Sequence, residues 1–119
     1  FDVPMMPASH VLPDEYEKNV DSMITQTLPH VKGMILMTPY YIESNPHDAM
    51  RARMDEYGAI CKRIGAKHGI IVIDTQAAFN EALKHYHSSF FAWDRVHPNV
   101  PGHCVLARAF LKAVDFEWA

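Results

Sequence analysis

An α/β fold with parallel strands is what this 119-residue sequence predicts. Two apolar runs, 34–38 (MILMT) and 69–74 (GIIVID), are continuous rather than alternating, the pattern of strands covered on both faces. Segments with apolar residues at helical spacing precede, separate and follow them, and Pro, Gly, Asn or Asp marks the changes. Helix and strand in alternation imply right-handed crossovers and helices layered on a parallel sheet.

Pro13 and Asp14 open the first helix, and Glu15 and Glu17 lie near its start, where the helix dipole favours anions. Tyr16, Val20, Met23, Ile24 and Leu28 recur on its apolar side, and Pro29 closes it. After Lys32 and Gly33 comes the first strand, stopped by Pro39. The segment 39–48 (PYYIESNPHD) is loop by its two prolines and Asn45. Met50, Met54, Tyr57, Cys61 and Ile64 then step by four, three, four and three, giving a second helix with Gly69 as its C-terminal cap. Met50 and Met54 read as adaptable core filler. Behind the second strand, Asp74 and Thr75 can cap a third helix whose apolar side is Phe79, Leu83 and Tyr86. Residues 92–103 (AWDRVHPNVPGH) form a constrained loop, and Pro101 with Gly102 leads into a last helix carrying His103, Leu106, Phe110 and Val114 on one face.

Composition narrows the function classes. With 49% hydrophobic and 21% charged residues the chain reads as globular, and a formal charge of −3 without a Lys/Arg cluster gives no reason to expect nucleic acid or anionic lipid as a partner. Cys61 and Cys104 fall inside helical patterns without zinc spacing, so they read as small core residues in a reducing compartment. No apolar run is long enough to span a bilayer and no signal-peptide pattern opens the chain, so a cytoplasmic location is expected. The opening FDVPMMP reads as the interior of a longer protein. Two parallel strands also make too small a sheet to stand alone. Either the chain, 1–119, is the C-terminal part of a larger domain, or it pairs with another copy, as in a homo-oligomer, or with another fragment.

Active sites of open α/β sheets lie beyond the carboxyl ends of the strands, and Asp94 and His97 stand on such a loop. A carboxylate bonded to one imidazole nitrogen fixes the tautomer and leaves the other nitrogen to take a proton from a hydroxyl. The D-x-x-H spacing lets a tight turn join them, while Pro98 restrains His97 to an extended backbone. Among eight histidines such a pair also arises by chance, with a purely structural role. A metal reading would gather His97 and His103 with His85 and His87, but neither CxxC nor HExxH spacing supports it, and no metal is expected. Trp93 is a candidate wall of a substrate pocket or else packs its loop on the core; Tyr40, Tyr41 and Glu43 could line the same cleft, although a Tyr in such a loop more often anchors it by packing; Arg95 could pair a nearby carboxylate or contact substrate, but reads as solvated.

The run DRVHPNxxGH followed by LARAFL, Asp94 to Leu111, resembles the last block of the SGNH, or GDSL, hydrolases. VKGMILMTPYYIES and IDTQAAFNEALK resemble the corresponding segments of bacterial acetylxylan esterases of that superfamily, and FDVP resembles the residues just after their GxNDVWR block. The resemblance implies a three-layer α/β/α fold of flavodoxin-like type, of which this chain holds two strands and about four helices. It implies serine-esterase chemistry on ester-substituted saccharides such as acetylated xylo-oligosaccharides, with no cofactor. His97 would be the general base and Asp94 its orienting partner. The nucleophilic Ser and the oxyanion-hole Gly and Asn of that family belong to earlier blocks. Ser9, Ser22, Ser44, Ser88 and Ser89 lie in no GDS context, so no nucleophile is carried over and the chain alone is expected to be nearly inert. The rival expectation is a non-catalytic fragment or binding module whose strands complete a partner's sheet.

Overall fold

The computed structural model describes residues 11–117, so the FDVP segment lies outside the described residues. Helix α1, Pro13–Thr27, carries Pro at its start and Asp14 and Glu15 in its first turn, and runs into a short 3₁₀ turn, Leu28–His30. Strand β1 is Ile35–Met37. Helix α2, Ala49–His68, begins at Asp48, whose carboxylate accepts the backbone N–H groups of Met50 and Arg51, both at 3.0 Å. It ends at Gly69, whose left-handed φ of +65° costs a residue without a Cβ nothing. Strand β2 is Ile71–Ile73, and helix α3, Thr75–Ala82, starts from Asp74, which caps the N–H of Ala77. Helix α4 is Val100–Ala113.

The two strands pair in parallel, Ile35 with Ile71 and Met37 with Ile73, joined by α2 as the crossover. Val20 and Ile24 of α1 pack on Ile60 and Ile64 of α2, with Leu36 of β1 and Ile70 closing the same core from the sheet side. Each such buried aliphatic contributes roughly 1.5–3 kcal/mol. Gly65 lets α2 come down on β2, because a Cβ there would stand 2.0 Å from Cγ2 of Val72. A second core joins the sheet's carboxyl end to α3 and α4: Ile42, Phe79, Phe91 and Ala92 are buried, and Tyr40, Leu83, Val105 and Leu106 pack around them. Beyond the strands, Thr38 and Thr75 tie the two chain exits together, the Thr75 N–H donating to Thr38 Oγ1 at 3.0 Å and the Thr75 hydroxyl to the Thr38 carbonyl at 2.5 Å.

The predicted layers and element order are present, but several faces differ from expectation. Met23 and Met50 are exposed, since the contacts of α1 run through Val20 and Ile24 and those of α2 through Tyr57, Ile60, Cys61 and Ile64. Helix α4 turns Val105 and Leu106 to the second core, which leaves His103, Phe110, Val114 and Cys104 exposed; Cys104 is thus not a core residue. Helix α3 stops at Ala82, so Tyr86 lies beyond it and stacks on Phe90 at 4.5 Å. Nor are the strands covered on both faces, for Met37 and Ile71 are exposed. Among the described residues no helix is long and apolar enough to cross a membrane.

Candidate active site

The second core ends in a short 3₁₀ turn, Ser88–Phe90, and from it Phe91 and Ala92 lead straight into the Asp94–His97 loop. Asp94 folds back on the loop: its Oδ1 accepts the backbone N–H groups of Val96 at 3.0 Å and His97 at 2.9 Å. That turn leaves Oδ2 2.6 Å from Nδ1 of His97. An ionised carboxylate can only accept, so Nδ1 carries the proton and the lone pair of the neutral ring sits on Nε2. Nε2 has no hydrogen-bond partner among the described residues, and the imidazole is 82% exposed, so the ring is presented outward rather than sealed in the core. The Nδ1–H of His97, followed by the backbone N–H groups of His97 and Val96, holds the Asp94 carboxyl well below the usual carboxylate range. An ionised carboxylate on one imidazole nitrogen with the other nitrogen open is an arrangement that can activate a hydroxyl nucleophile.

Both flanks of the pair are fixed. On the C-terminal side Asn99 caps α4 through the N–H of Gly102 at 3.1 Å, while its own side-chain N–H donates to the Phe90 carbonyl at 2.9 Å. Gly102 is required by close approach: a Cβ there would lie 2.6 Å from the Phe91 carbonyl oxygen and 2.6 Å from Pro98 Cβ. Between the pair stands Arg95 with φ +65°, a left-handed backbone that costs a non-glycine residue about 1–2 kcal/mol. Its guanidinium is not free in solvent as expected but ion-paired with Glu43 at 2.7 Å. The Asn45 backbone N–H, and then Arg95, hold the Glu43 carboxyl below its ordinary value.

The structure brings Asp94, His97 and Trp93 onto one loop, with Trp93 86% exposed beside the pair. Tyr40 is half-buried, its ring 4.7 Å from Phe79, and burial raises its hydroxyl above the ordinary value. No cluster of three or more His, Cys, Asp or Glu residues able to hold a metal occurs among the described residues, so His85, His87, His97 and His103 do not converge there. That Arg95 pairs with Glu43 in particular is not visible in the sequence. The two stand 52 positions apart, and arginine is not a residue that advertises a left-handed turn.

Comparison with known proteins fits this geometry. The family model described as GDSL-like lipase/acylhydrolase matches residues 8–110. An acetylxylan esterase from Geobacillus stearothermophilus is 52% identical over 118 residues, 99% of this chain and 54% of that enzyme. Its crystal structure superposes with a TM-score of 0.95 over the whole of this chain. An alpha/beta hydrolase enzyme from the metagenome of Lake Arreo, Spain, gives 55% identity and a TM-score of 0.91, over 95% of this chain and 52% of that one. The chain thus spans about half the length of the relatives it matches. Solved forms of the Geobacillus enzyme include variants described as catalytic mutants, in which a Ser, an Asp or a His is replaced by Ala, and that Asp and His are three positions apart. With a family match running through most of its length, the chain belongs to the GDSL-like lipase/acylhydrolase family.

Proposed function

We propose that residues 1–119 are the C-terminal portion of a single SGNH-type esterase domain, in which Asp94 and His97 serve a serine carried by the preceding portion. The observation that carries this reading is the 2.6 Å Asp94–His97 contact with the opposite ring nitrogen open to solvent. Apolar side chains left exposed on the sheet, on α4 and just after it, among them Met37, Ile71, Phe110 and Val114, support a further layer packing there. So does the share of each relative that this chain spans. A piece that merely completed a partner's sheet would have no use for a presented Asp–His pair.

In this reading Nε2 of His97 takes the serine hydroxyl proton as the oxygen attacks the ester carbonyl. Asp94 stabilises the imidazolium that forms. The imidazolium then gives its proton to the departing sugar oxygen, leaving an acetyl-serine. Water attacks that ester with the same nitrogen as base, releasing acetate and restoring the hydroxyl. No step calls for a metal or organic cofactor. The substrate is an acetylated xylo-oligosaccharide, by analogy with the Geobacillus acetylxylan esterase, and the exposed face of Trp93 beside the pair is suited to stacking on a sugar ring. Tyr40, packed on Phe79, supports the pocket from within the core.

The test uses the complete esterase with p-nitrophenyl acetate and acetylated xylo-oligosaccharides. His97→Ala should abolish turnover while leaving the fold intact by circular dichroism. Unchanged turnover would remove His97 from the mechanism.

A further inference from the structure

Arg95, one of the two residues between Asp94 and His97, has no role in the proton transfers above, yet its side chain reaches across to a second loop. Glycine or asparagine would take the φ of +65° at Arg95 with less strain. What an arginine adds is reach. Its Nη1 donates to Glu43 Oε2 at 2.7 Å, its guanidinium carbon lies 5.0 Å above the Tyr41 ring, and its carbonyl accepts the Ile42 N–H at 3.0 Å.

The surface it grips is itself immobilised. Tyr41 is buried, and its backbone N–H and carbonyl are both bonded by the Gln76 side chain, at 2.8 and 3.0 Å. The Glu43 carboxylate accepts the Asn45 N–H at 3.0 Å, and the Glu43 carbonyl accepts Nη1 of the buried Arg51 at 2.6 Å. The segment 41–43 is therefore a fixed platform anchored to α2 and α3.

We propose that Arg95 is a positioning residue of the esterase, which clamps the left-handed turn of the Asp94–His97 loop onto the Tyr41–Glu43 platform and so holds the pair in register. This inference rests on the function proposed above. The physical need is plain from the exposure of His97: no packed side chains hold an imidazole 82% open to solvent, so its direction is set by the loop backbone and by Asp94. A change of φ at Arg95 swings the N–H groups of Val96 and His97 off Asp94 Oδ1, and the 2.6 Å contact at Oδ2 goes with them.

Arg95→Gly, Arg95→Lys and Glu43→Gln in the complete esterase test the clamp. Glycine accommodates the observed φ, so Arg95→Gly folds but lacks the grip. Its kcat on p-nitrophenyl acetate should fall about ten- to a hundredfold, as a misplaced catalytic group costs, with KM within about twofold of wild type. The low-field proton resonance of the His97 Nδ1–H should broaden in parallel. Glu43→Gln should move kcat the same way, and the double variant should be no worse than Arg95→Gly alone. Arg95→Lys, which keeps the charge, should recover part of the loss. Wild-type kcat and an unchanged Nδ1–H resonance in Arg95→Gly would overturn the proposal while His97→Ala remained inert. Full turnover in His97→Ala would instead remove the Asp94–His97 pair from the mechanism on which the proposal rests.

Discussion

Replacing Asp94 by Asn separates the electronic role of the carboxylate from its role in shaping the loop. The Asn oxygen can keep the two backbone contacts that Oδ1 makes, 3.0 Å to Val96 and 2.9 Å to His97, so the turn survives. At the other terminus a carboxylate oxygen 2.6 Å from Nδ1 becomes an amide that can only donate. Two N–H groups cannot face each other at that distance. His97 must therefore place its proton on Nε2, and the nitrogen meant to receive the serine proton is then a donor. In serine proteases the same substitution costs about 10⁴ in kcat, and four decades at 1.36 kcal/mol each is about 5.4 kcal/mol of transition-state stabilisation. We expect a loss of that order in the complete esterase. Steady-state hydrolysis of p-nitrophenyl acetate reads it, with thermal unfolding as a control that should move by no more than about 2 °C, the shift of less than 1 kcal/mol in a domain of this kind. A kcat within tenfold of wild type would mean that Asp94 does not set the tautomer, and the reasoning would fail.

Gly102→Ala should destabilise the fold by about 1–3 kcal/mol, the usual cost of forcing atoms into a filled space. The new Cβ meets a backbone carbonyl and a proline ring, neither of which can swing aside, and Pro98 adjoins His97, so activity should fall with stability. Urea unfolding checks this, and an unchanged midpoint would refute the contact. For pH, the sign comes from the depressed Asp94 carboxyl: its contribution is fully present above the ordinary value of 3.8 and is lost only as pH falls through the lower folded value. Carbon NMR of the Asp94 carboxyl should show a midpoint well below 3.8, and one at or above it would break the argument.

How much of the fold and site is legible in the sequence depends on whether the cause is local. The crossover helix is legible, because the step from Met50 to Ile64 and a glycine at 69 are both set within a few residues. So is the Asp94–His97 contact, since a D-x-x-H turn closes on itself. The face that α4 turns inward is not. Leu106, Phe110 and Val114 share a stripe, but Val105 and Ala109 are apolar too, and which side is buried is decided by α3 and the second core. Met50 falls outside the core for the same reason: periodicity gives a stripe, while its edges are set by the partner. The Arg95–Glu43 bridge is beyond reach, since it needs the three-dimensional meeting of two loops.

The elements that align Asp94 with His97 all lie within this chain: the turn at Asp94, the grip of Arg95 on Glu43, the Asn99 cap and the tight approach at Gly102. The alignment of Nε2 with a serine is a different problem, because that hydroxyl comes from outside the chain in the proposed reading. It would be set by how another strand pairs with this sheet, in which β1 and β2 pair only with each other among the described residues. A one-residue slip along a strand moves everything beyond it by about 3.3 Å, as much as the whole donor–acceptor distance of a proton transfer. The same slip would turn every side chain of the added strand to the opposite face. The apolar groups left open here, Met37 and Ile71 on the sheet, Phe110 on α4 and Val114 just after it, would penalise that error at about 25 cal/mol for each square ångström left exposed. Hydrophobic burial would thus set the register of the nucleophile, while short-range polar contacts set the register of the base.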